Sequence, residues 1–211
     1  MIKVGIVGYG TIGKRVADAV AMQKDMKLVG VTAHSYSFNT EVAKQKGYKI
    51  FTANGDADLK LNGINPDGDI NNLLEQVEVI VDATPKDIGR ENIEKYYKPK
   101  KIKAIVQGGE KHKTTGTSFV AQCNYNEAIN KDYVRIVSCN TTGLCRTLDA
   151  VNKKYGISSV HATMIRRGAD PWDIYHGPIN AIVPVLEMPS HHGPDVQTVL
   201  RNVEIFTTAL S

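Results

Sequence analysis

The apolar residues in the first half of the chain fall into short runs separated by segments with helical periodicity. Ile2–Val7 is one such run and residues 26–32 form a second, with room between them for one helix. Runs that are apolar throughout are typical of strands buried on both faces. The segment over 14–23 carries its apolar residues on one face, as a helix packed on a sheet does. The opening residues therefore predict a strand, helix, strand unit.

The same alternation continues along the chain. It predicts strands over 77–83, 103–107 and 133–137, and a helix over 90–97. Strands that alternate with helices form a parallel sheet with helices on both faces. The predicted fold class is therefore α/β, with a doubly wound parallel sheet of the Rossmann type.

The pattern changes after Ser138. A helix is predicted from Cys139 to a stop at Gly156, and helical spacing is seen again over 194–200. The rest is rich in strands without long helices between them, which predicts part of an α+β catalytic domain with an antiparallel sheet over 139–211. The strands of that domain are predicted over 160–165, 182–186 and 203–209, with a loop over 166–178.

The length of this second region bears on whether it is complete. A domain of about 70 residues has a small core of its own. The last run with strand character reaches almost to Ser211. We therefore expect the second domain to be incomplete and the chain to be a C-terminally truncated fragment.

Three glycines follow the first strand with the spacing of a dinucleotide fingerprint. Gly8 permits a tight turn, Gly10 lets the backbone approach a pyrophosphate, and Gly13 allows close packing of helix on strand. The free N–H groups near Thr11 and Ile12, at the start of the helix, favour an anion. This turn assigns residues 1–138 to a dinucleotide-binding domain.

The end of the second strand bears on the choice between NAD and NADP. A site that prefers NAD usually places a carboxylate there for the ribose 2′-OH, whereas this chain has none before Glu41. Without that charge a 2′-phosphate is tolerated, and His34 and Ser35 are either its contacts or plain loop residues. We expect NADP to be accepted at least as well as NAD.

Cys139 lies where a strand ends and a helix begins. There the helix dipole and free N–H groups stabilise a thiolate, which is one way to activate a nucleophile. The other interpretation of a single cysteine is a small buried apolar residue. The other two cysteines, Cys123 and Cys145, make an odd total and form no CxxC pair, which argues against a disulfide framework and against zinc. No metal site is predicted.

Composition excludes several classes of protein. The net charge of the 211-residue chain is only +4, and the basic run over 98–103 has no aromatic residues within it, so no nucleic-acid partner is expected. No apolar run approaches the roughly 18 residues of a membrane span, and no signal peptide precedes the first strand. We expect a soluble cytoplasmic protein that does not bind membranes.

Several longer strings of residues carry a resemblance to a known family. They are GYGTIGKRV over 8–16, SCNTTGLCRT over 138–147, RRGAD over 166–170, GPIN over 177–180 and PSHHGPD over 189–195. In this order and spacing they closely resemble the archaeal branch of the phosphorylating glyceraldehyde-3-phosphate dehydrogenases. The resemblance covers all 211 residues.

The resemblance implies a reaction and its participants. Glyceraldehyde 3-phosphate is oxidised and phosphorylated to 1,3-bisphosphoglycerate, in glycolysis or gluconeogenesis, through a thioester on Cys139, with NAD or NADP reduced. It also implies a homotetramer at full length. Contacts to substrate are implied for Ser138, Asn140, Thr141, His192 and Gly193, and contacts to the cofactor for Thr11, Ile12, Gly109 and Arg167. Arg166 is either a contact to the substrate phosphate, through its forked guanidinium group, or part of a structural ion pair.

The identity of the general base is left open between two histidines. His191 and His192 both have the residue type for proton transfer near neutral pH. In the family, a histidine further along the chain has a good claim as well. Two other functions remain open: a related semialdehyde or acyl-phosphate dehydrogenase, and a nucleotide-binding module without turnover in which Cys139 is only structural.

Overall fold

The computed structural model describes residues 1–165, 182–186 and 188–210. The chain divides into two units. The first comprises Met1–Thr117 and Asn130–Ile136, and the second Ser118–Ile129 and Val137–Ser211. The boundary that we expected after residue 138 lies next to Val137.

Residues 118–129 belong to the second unit, although we placed them in the first domain. The reason is their helix, Ala121–Ala128, which packs against the helix that starts at Cys139. Cys123 of that helix contacts the apolar core of the second unit. The roles given to the two domains stay predictions.

The first unit contains a parallel sheet with helices in its connections. The strands are β1 (Ile2–Val7), β2 (Met26–Ala33), β3 (Ile50–Thr52), β4 (Val79–Asp82), β5 (Lys103–Val106) and β7 (Tyr133–Ile136). They lie in the order β3-β2-β1-β4-β5-β7, and every pair runs parallel. The helices are α1 (Thr11–Ala21), α2 (Phe38–Gln45), α3 (Ala57–Leu61), α4 (Ile70–Leu74), α5 (Ile88–Asn92), a π-helical turn (Ile93–Tyr97), α6 (Lys98–Lys100) and α7 (His112–Thr115).

Two separate apolar clusters confirm that this sheet is covered on both faces. Ile6 packs in a cluster with α1 and α2, whereas its neighbour Val7 packs with α4 and the π-helical turn. Successive residues of a strand point to opposite faces, so the two clusters lie on opposite sides of the sheet. The predicted doubly wound α/β fold is therefore confirmed.

The second unit contains β6 (Ser118–Phe119), α8 (Ala121–Ala128), α9 (Cys139–Tyr155), β8 (Ser159–Ile165), α10 (His192–Gln197) and β9 (Glu204–Leu210). Buried residues of α9, α10 and β9 share one core. The helix predicted from Cys139 to Gly156 is confirmed as α9, and the strands predicted over 160–165 and 203–209 are confirmed as β8 and β9. No helix in the described part of the chain is long and apolar enough to cross a membrane.

The direction of the strands in the second unit differs from our expectation. β8 and β9 pair in parallel, whereas we predicted an antiparallel sheet. The connection between them contains α10, and a crossover of this kind joins parallel strands. The predicted strand over 182–186 is reduced to one antiparallel bridge from Pro184 to Leu210. The predicted loop over 166–178 lies outside the described residues.

Gly13→Ala tests how closely the first helix packs on the sheet. A Cβ at Gly13 would lie 1.9 Å from the carbonyl oxygen of Gly8, so the backbone must shift. We expect the free energy of unfolding to fall by roughly 1–3 kcal/mol, as for other overpacked sites. Denaturant unfolding followed by circular dichroism measures the change.

Gly143→Ala is the matched control, because a Cβ there meets nothing within 4 Å and Gly143 lies in α9. It should stabilise the chain by roughly 0.5–1 kcal/mol through helix propensity. Equal effects of the two substitutions would contradict the packing argument.

Candidate functional site

A cleft of about 790 Å³ opens at the carboxyl ends of β1, β2 and β4. This is where open parallel sheets bind ligands, because the strand order reverses there and leaves a crevice. The volume is within the range of roughly 300–1,000 Å³ found for small-molecule sites. The residues that line it include Gly8, Gly10, Thr11, Ile12, His34, Ser35, Thr84, Asn92, Gln107 and Gly108.

The three glycines of the turn after β1 have different surroundings. Gly8 has a φ of +90°, and a Cβ on Gly13 would collide with the Gly8 carbonyl. A Cβ on Gly10 would meet nothing within 4 Å, and Gly10 lines the cleft. The turn therefore needs Gly8 and Gly13 for its own packing, and Gly10 leaves the backbone accessible from the cleft.

The first turn of α1 contains no side chain that balances the positive end of the helix dipole. Gly10 is the N-cap and gives no side-chain hydrogen bond, and the first turn carries no acidic residue. The first N–H groups of a helix have no acceptor within the helix, and the helix dipole adds positive character. Thr11 and Ile12 line the cleft, so this turn offers what a pyrophosphate requires.

The rim of the cleft after β2 is neutral or basic in the described part of the chain. None of the residues that line the cleft there is Asp or Glu. His34 contacts Asn54 at 3.3 Å between Nε2 and Nδ2, and the Lys14 ammonium donates to Asn39 Oδ1 at 3.3 Å. Sequence analysis did not single out Lys14 as a cation near this rim. Its position in the first turns of α1 was the only signal in the sequence.

A carboxylate does reach the loop after β2 from a distant part of the chain. The Tyr36 N–H donates to Asp58 Oδ2 of α3 at 2.5 Å. Asp58 is not among the residues that line the cleft. Sequence spacing alone could not place Asp58 there, because α3 follows β3 and reaches this loop only through the fold.

Gly109, the glycine that we expected at the cofactor, is adjacent to the cleft rather than part of its lining. Gly108 lines the cleft, and Gly109 follows it with a φ of +91°. A Cβ on Gly108 would lie 2.0 Å from the Thr84 carbonyl oxygen. The loop after β5 therefore packs against the loop after β4, backbone on backbone.

In the second unit, Ser138 and Thr141 build the start of α9. Ser138 is the N-cap, its hydroxyl accepts from the Thr141 N–H at 3.2 Å, and the two hydroxyl groups lie 2.9 Å apart. Thr141 is fully buried. A cap of this kind fixes the first helical turn and so sets the position of Cys139. The role of these two residues in substrate binding stays a prediction.

The three cysteines differ in exposure. Cys139 is exposed in the first turn of α9, Cys123 is partly buried and Cys145 is buried. Burial raises the pKa of Cys145 to about 12, so its thiol stays neutral. The interpretation as a small buried apolar residue therefore fits Cys145, whereas Cys139 has the access that a nucleophile needs.

His192 is the buried histidine beside this helix start. Its Nδ1 lies 2.6 Å from the Ser190 hydroxyl, and its Nε2 lies 3.4 Å from Asn140 Nδ2. Burial lowers the pKa of His192 and the neighbouring His191 lowers it further, although Asp195 acts in the opposite direction. The imidazole is therefore neutral near pH 7 and able to accept a proton.

Thr207 of β9 holds the chain at the start of α10, where His192 lies. Its hydroxyl accepts from the Gly193 N–H at 2.9 Å and donates to the Ser190 carbonyl at 2.9 Å. The Ser190 N–H also donates to the Thr207 carbonyl at 2.8 Å. Thr207 is fully buried. Sequence analysis missed Ser190 and Thr207, although Ser190 lies within the PSHHGPD string.

The structure thus brings His192 and Asn140 together beside Cys139. His191 is more exposed and stacks on His192 with ring centroids 4.0 Å apart. Gly193 follows His192 in the first turn of α10, and its N–H donates to the Thr207 hydroxyl. The predicted contacts Arg166 and Arg167 lie outside the described residues.

Solved structures share the architecture. The chain superposes on the aspartate semialdehyde dehydrogenase from Candida albicans solved with NADP, with a TM-score of 0.64 and 15% identity, over 100% of this chain and 67% of that one. A family profile described as "Dihydrodipicolinate reductase, N-terminus" matches residues 2–142. Fold and cleft together place the chain in the class of Rossmann-type folds that this dehydrogenase and this profile share.

Sequence relatives identify the family within that class. The glyceraldehyde-3-phosphate dehydrogenases of Methanococcoides burtonii and Methanobacterium bryantii are 51% and 53% identical to 99% and 100% of this chain. A profile described as "Glyceraldehyde 3-phosphate dehydrogenase, C-terminal domain" matches residues 138–211. The chain belongs to the glyceraldehyde-3-phosphate dehydrogenase family. It spans 63% of the length of these curated relatives.

Alkylation of the folded chain should separate the cysteines by their exposure. We expect iodoacetamide to label Cys139 first and Cys145 only after unfolding, because Cys145 is buried and its pKa is raised. Peptide mass spectrometry over a time course, with and without guanidinium, measures the order. Cys139→Ser is the control and should remove the fast phase alone. Labelling of Cys145 at the same rate as Cys139 would contradict the assignment.

Proposed function

We propose that the protein oxidises and phosphorylates D-glyceraldehyde 3-phosphate to 1,3-bisphosphoglycerate and reduces NAD or NADP, as a step of glycolysis or gluconeogenesis. The observation that carries the proposal is an exposed cysteine in the first turn of α9, beside a buried neutral histidine. The names of the relatives at 51–53% identity support the choice of substrate.

Cys139 is the proposed nucleophile. Its thiolate attacks the aldehyde carbon and forms a hemithioacetal whose oxygen lies near the N–H groups of the first turn of α9, where developing negative charge is stabilised. Loss of the hydroxyl proton and of a hydride leaves a thioester on Cys139. Inorganic phosphate then attacks the thioester carbon, so that the acyl phosphate leaves and the thiolate is restored.

His192 is the better placed of the two proposed bases. Its Nε2 is directed to Asn140, the neighbour of Cys139. Because its pKa is lowered, the imidazole stays neutral, and so able to accept the hydroxyl proton, at pH values where an ordinary histidine is already protonated. His191 is the second candidate, because it stacks on His192. Contacts to substrate are proposed for Ser138, Asn140, Thr141, Arg166, His192 and Gly193.

The cleft of the first unit is the proposed cofactor site, and its residues fit a dinucleotide. NAD or NADP, when bound, supplies the hydride acceptor. The N–H groups of Thr11 and Ile12 hold the pyrophosphate, with Gly10 leaving room for its approach. Gly109 and Arg167 complete the proposed contacts. Assembly as a homotetramer and a cytoplasmic location are further parts of the proposal, supported by the family resemblance.

Two other functions are distinguished by simple assays. A related semialdehyde or acyl-phosphate dehydrogenase would turn over a different aldehyde, and the fold shared with aspartate semialdehyde dehydrogenase is the observation behind it. A nucleotide-binding module would bind NAD or NADP and turn over neither aldehyde.

Activity of the protein at its natural length tests the reaction and the nucleophile. We expect phosphate-dependent reduction of NAD(P), followed at 340 nm, with glyceraldehyde 3-phosphate as substrate. Cys139→Ser should lower kcat on the order of 10³-fold or more, because the nucleophile is lost. Cys123→Ser is the matched control and should leave kcat close to that of the parent protein.

Each alternative predicts a different result in the same assay. Cys139→Ser with normal turnover would disprove the role of the nucleophile. Preference for aspartate semialdehyde would establish the second dehydrogenase instead. Binding of NAD(P) without turnover of either aldehyde would establish the module.

Cofactor preference tests the neutral rim after β2. We expect kcat/KM with NADP to equal or exceed that with NAD, because no carboxylate of the lining repels a 2′-phosphate. Ser35→Glu should lower kcat/KM for NADP about tenfold relative to NAD, by placing a negative charge at this rim. Ser35→Gln is the uncharged control of the same size. A strong preference of the parent protein for NAD would disprove this assignment.

A further inference from the structure

Asp82 is a buried carboxylate at the carboxyl end of β4, with 1% of its surface exposed. Four donors surround it. Asn92 Nδ2 and the Tyr97 hydroxyl donate to Oδ2 at 2.9 and 2.7 Å, and the Thr84 N–H donates to Oδ1 at 3.0 Å. The Thr84 hydroxyl also donates to Oδ1. All of its described partners are neutral.

The two oxygens of Asp82 bind different parts of the chain. Oδ2 binds the helical segment after β4, through Asn92 of α5 and Tyr97 of the π-helical turn. Oδ1 binds the loop that follows β4, through both donors of Thr84. A buried carboxylate costs free energy unless all of its hydrogen bonds are made, so these partners are held firmly in place. One side chain therefore joins the loop to the helix.

The backbone that Asp82 holds is closely packed by two neighbouring loops. A Cβ on Gly8 would lie 3.0 Å from backbone atoms of Ala83 and Thr84, and a Cβ on Gly108 would lie 2.0 Å from the Thr84 carbonyl. The loop after β1 thus packs on the Ala83–Thr84 peptide, and the loop after β5 packs on the Thr84 carbonyl that follows it. Any shift of this peptide displaces the glycine turn that is proposed to hold the pyrophosphate.

Asp82 acts on the cleft only through its neighbours. Ala83, Thr84 and Asn92 line the cleft, whereas Asp82 and Tyr97 do not. Burial, followed by the charge of Asp82, raises the pKa of Tyr97 well above its ordinary value, so its hydroxyl remains a donor. The Tyr97 hydroxyl therefore keeps its proton and its bond to Asp82 Oδ2 near neutral pH.

We propose that Asp82 is a positioning residue for the dinucleotide: it fixes the Ala83–Thr84 peptide against the glycine turn and so sets the shape of the cleft before the cofactor binds. The proposal rests on the proposed NAD(P)-dependent function. It assigns to Asp82 a share of cofactor affinity without direct contact, by pre-organisation of the loop.

Asp82→Ala is the first test. It removes both carboxylate oxygens and with them all four hydrogen bonds, including the two that hold Thr84. We expect the Kd for NADPH, measured by fluorescence titration below the unfolding transition, to rise about tenfold. Tyr97→Phe is the matched control, because it removes one donor from Oδ2 and leaves both Thr84 bonds in place. It should lower Tm as well, yet leave the Kd within about twofold of the parent value.

A second pair of variants keeps the proposal testable should Asp82→Ala fail to fold. Thr84→Val removes the hydroxyl bond to Asp82, whereas Thr84→Ser retains it. We expect weaker NADPH binding for Thr84→Val and parent-like binding for Thr84→Ser, which is the rescue that a positioning role requires. Equal Kd values for these two variants would overturn the proposal.

The outcome also separates this inference from the proposed function. A parent protein that binds NADPH, together with an Asp82→Ala variant that binds it equally well at lowered Tm, would show that Asp82 is only structural. A parent protein that binds neither NADPH nor NADH would overturn the proposed function, and this inference with it.

Discussion

The close approach of three backbone segments at one edge of the sheet is the constraint on which the cofactor cleft depends. The loops after β1, β4 and β5 meet there, and no Cβ fits at Gly13 or Gly108 without moving a carbonyl group. Parallel strands place these loops side by side. Because the loops are held by backbone contact, the cleft exists without a ligand to shape it.

The start of α9 is also held in place by contacts within the chain, here by hydrogen bonds. The Ser138 cap fixes the first turn of α9, and Thr207 binds Ser190 and Gly193 on either side of His192 at the start of α10. The nucleophile and the proposed base are thus each placed by hydrogen bonds made behind them. Cys139 itself stays exposed, so its sulfur is available for chemistry.

How much of this was predictable depends on how far apart in sequence the interacting residues lie. The parallel strands, the glycine turn and the helix from Cys139 are local patterns, and the sequence predicted each of them. The parallel pairing of β8 and β9 was not predicted, because strand direction depends on how a long connection folds. The contact of Tyr36 with Asp58 was missed for the same reason, since neither residue carries a local signal.

Two of the residues that sequence analysis missed share a physical property. Asp82 and Thr207 are buried and saturated with hydrogen bonds, and each adjoins a segment of the candidate site without carrying the chemistry. A group that must bind a ligand needs its own donors and acceptors free, so it cannot use them to fix its own position. The positioning then falls to buried polar neighbours, whose cost of burial is offset only when every partner is in place. Such residues resemble ordinary core positions in the sequence, and only their partners reveal what they hold.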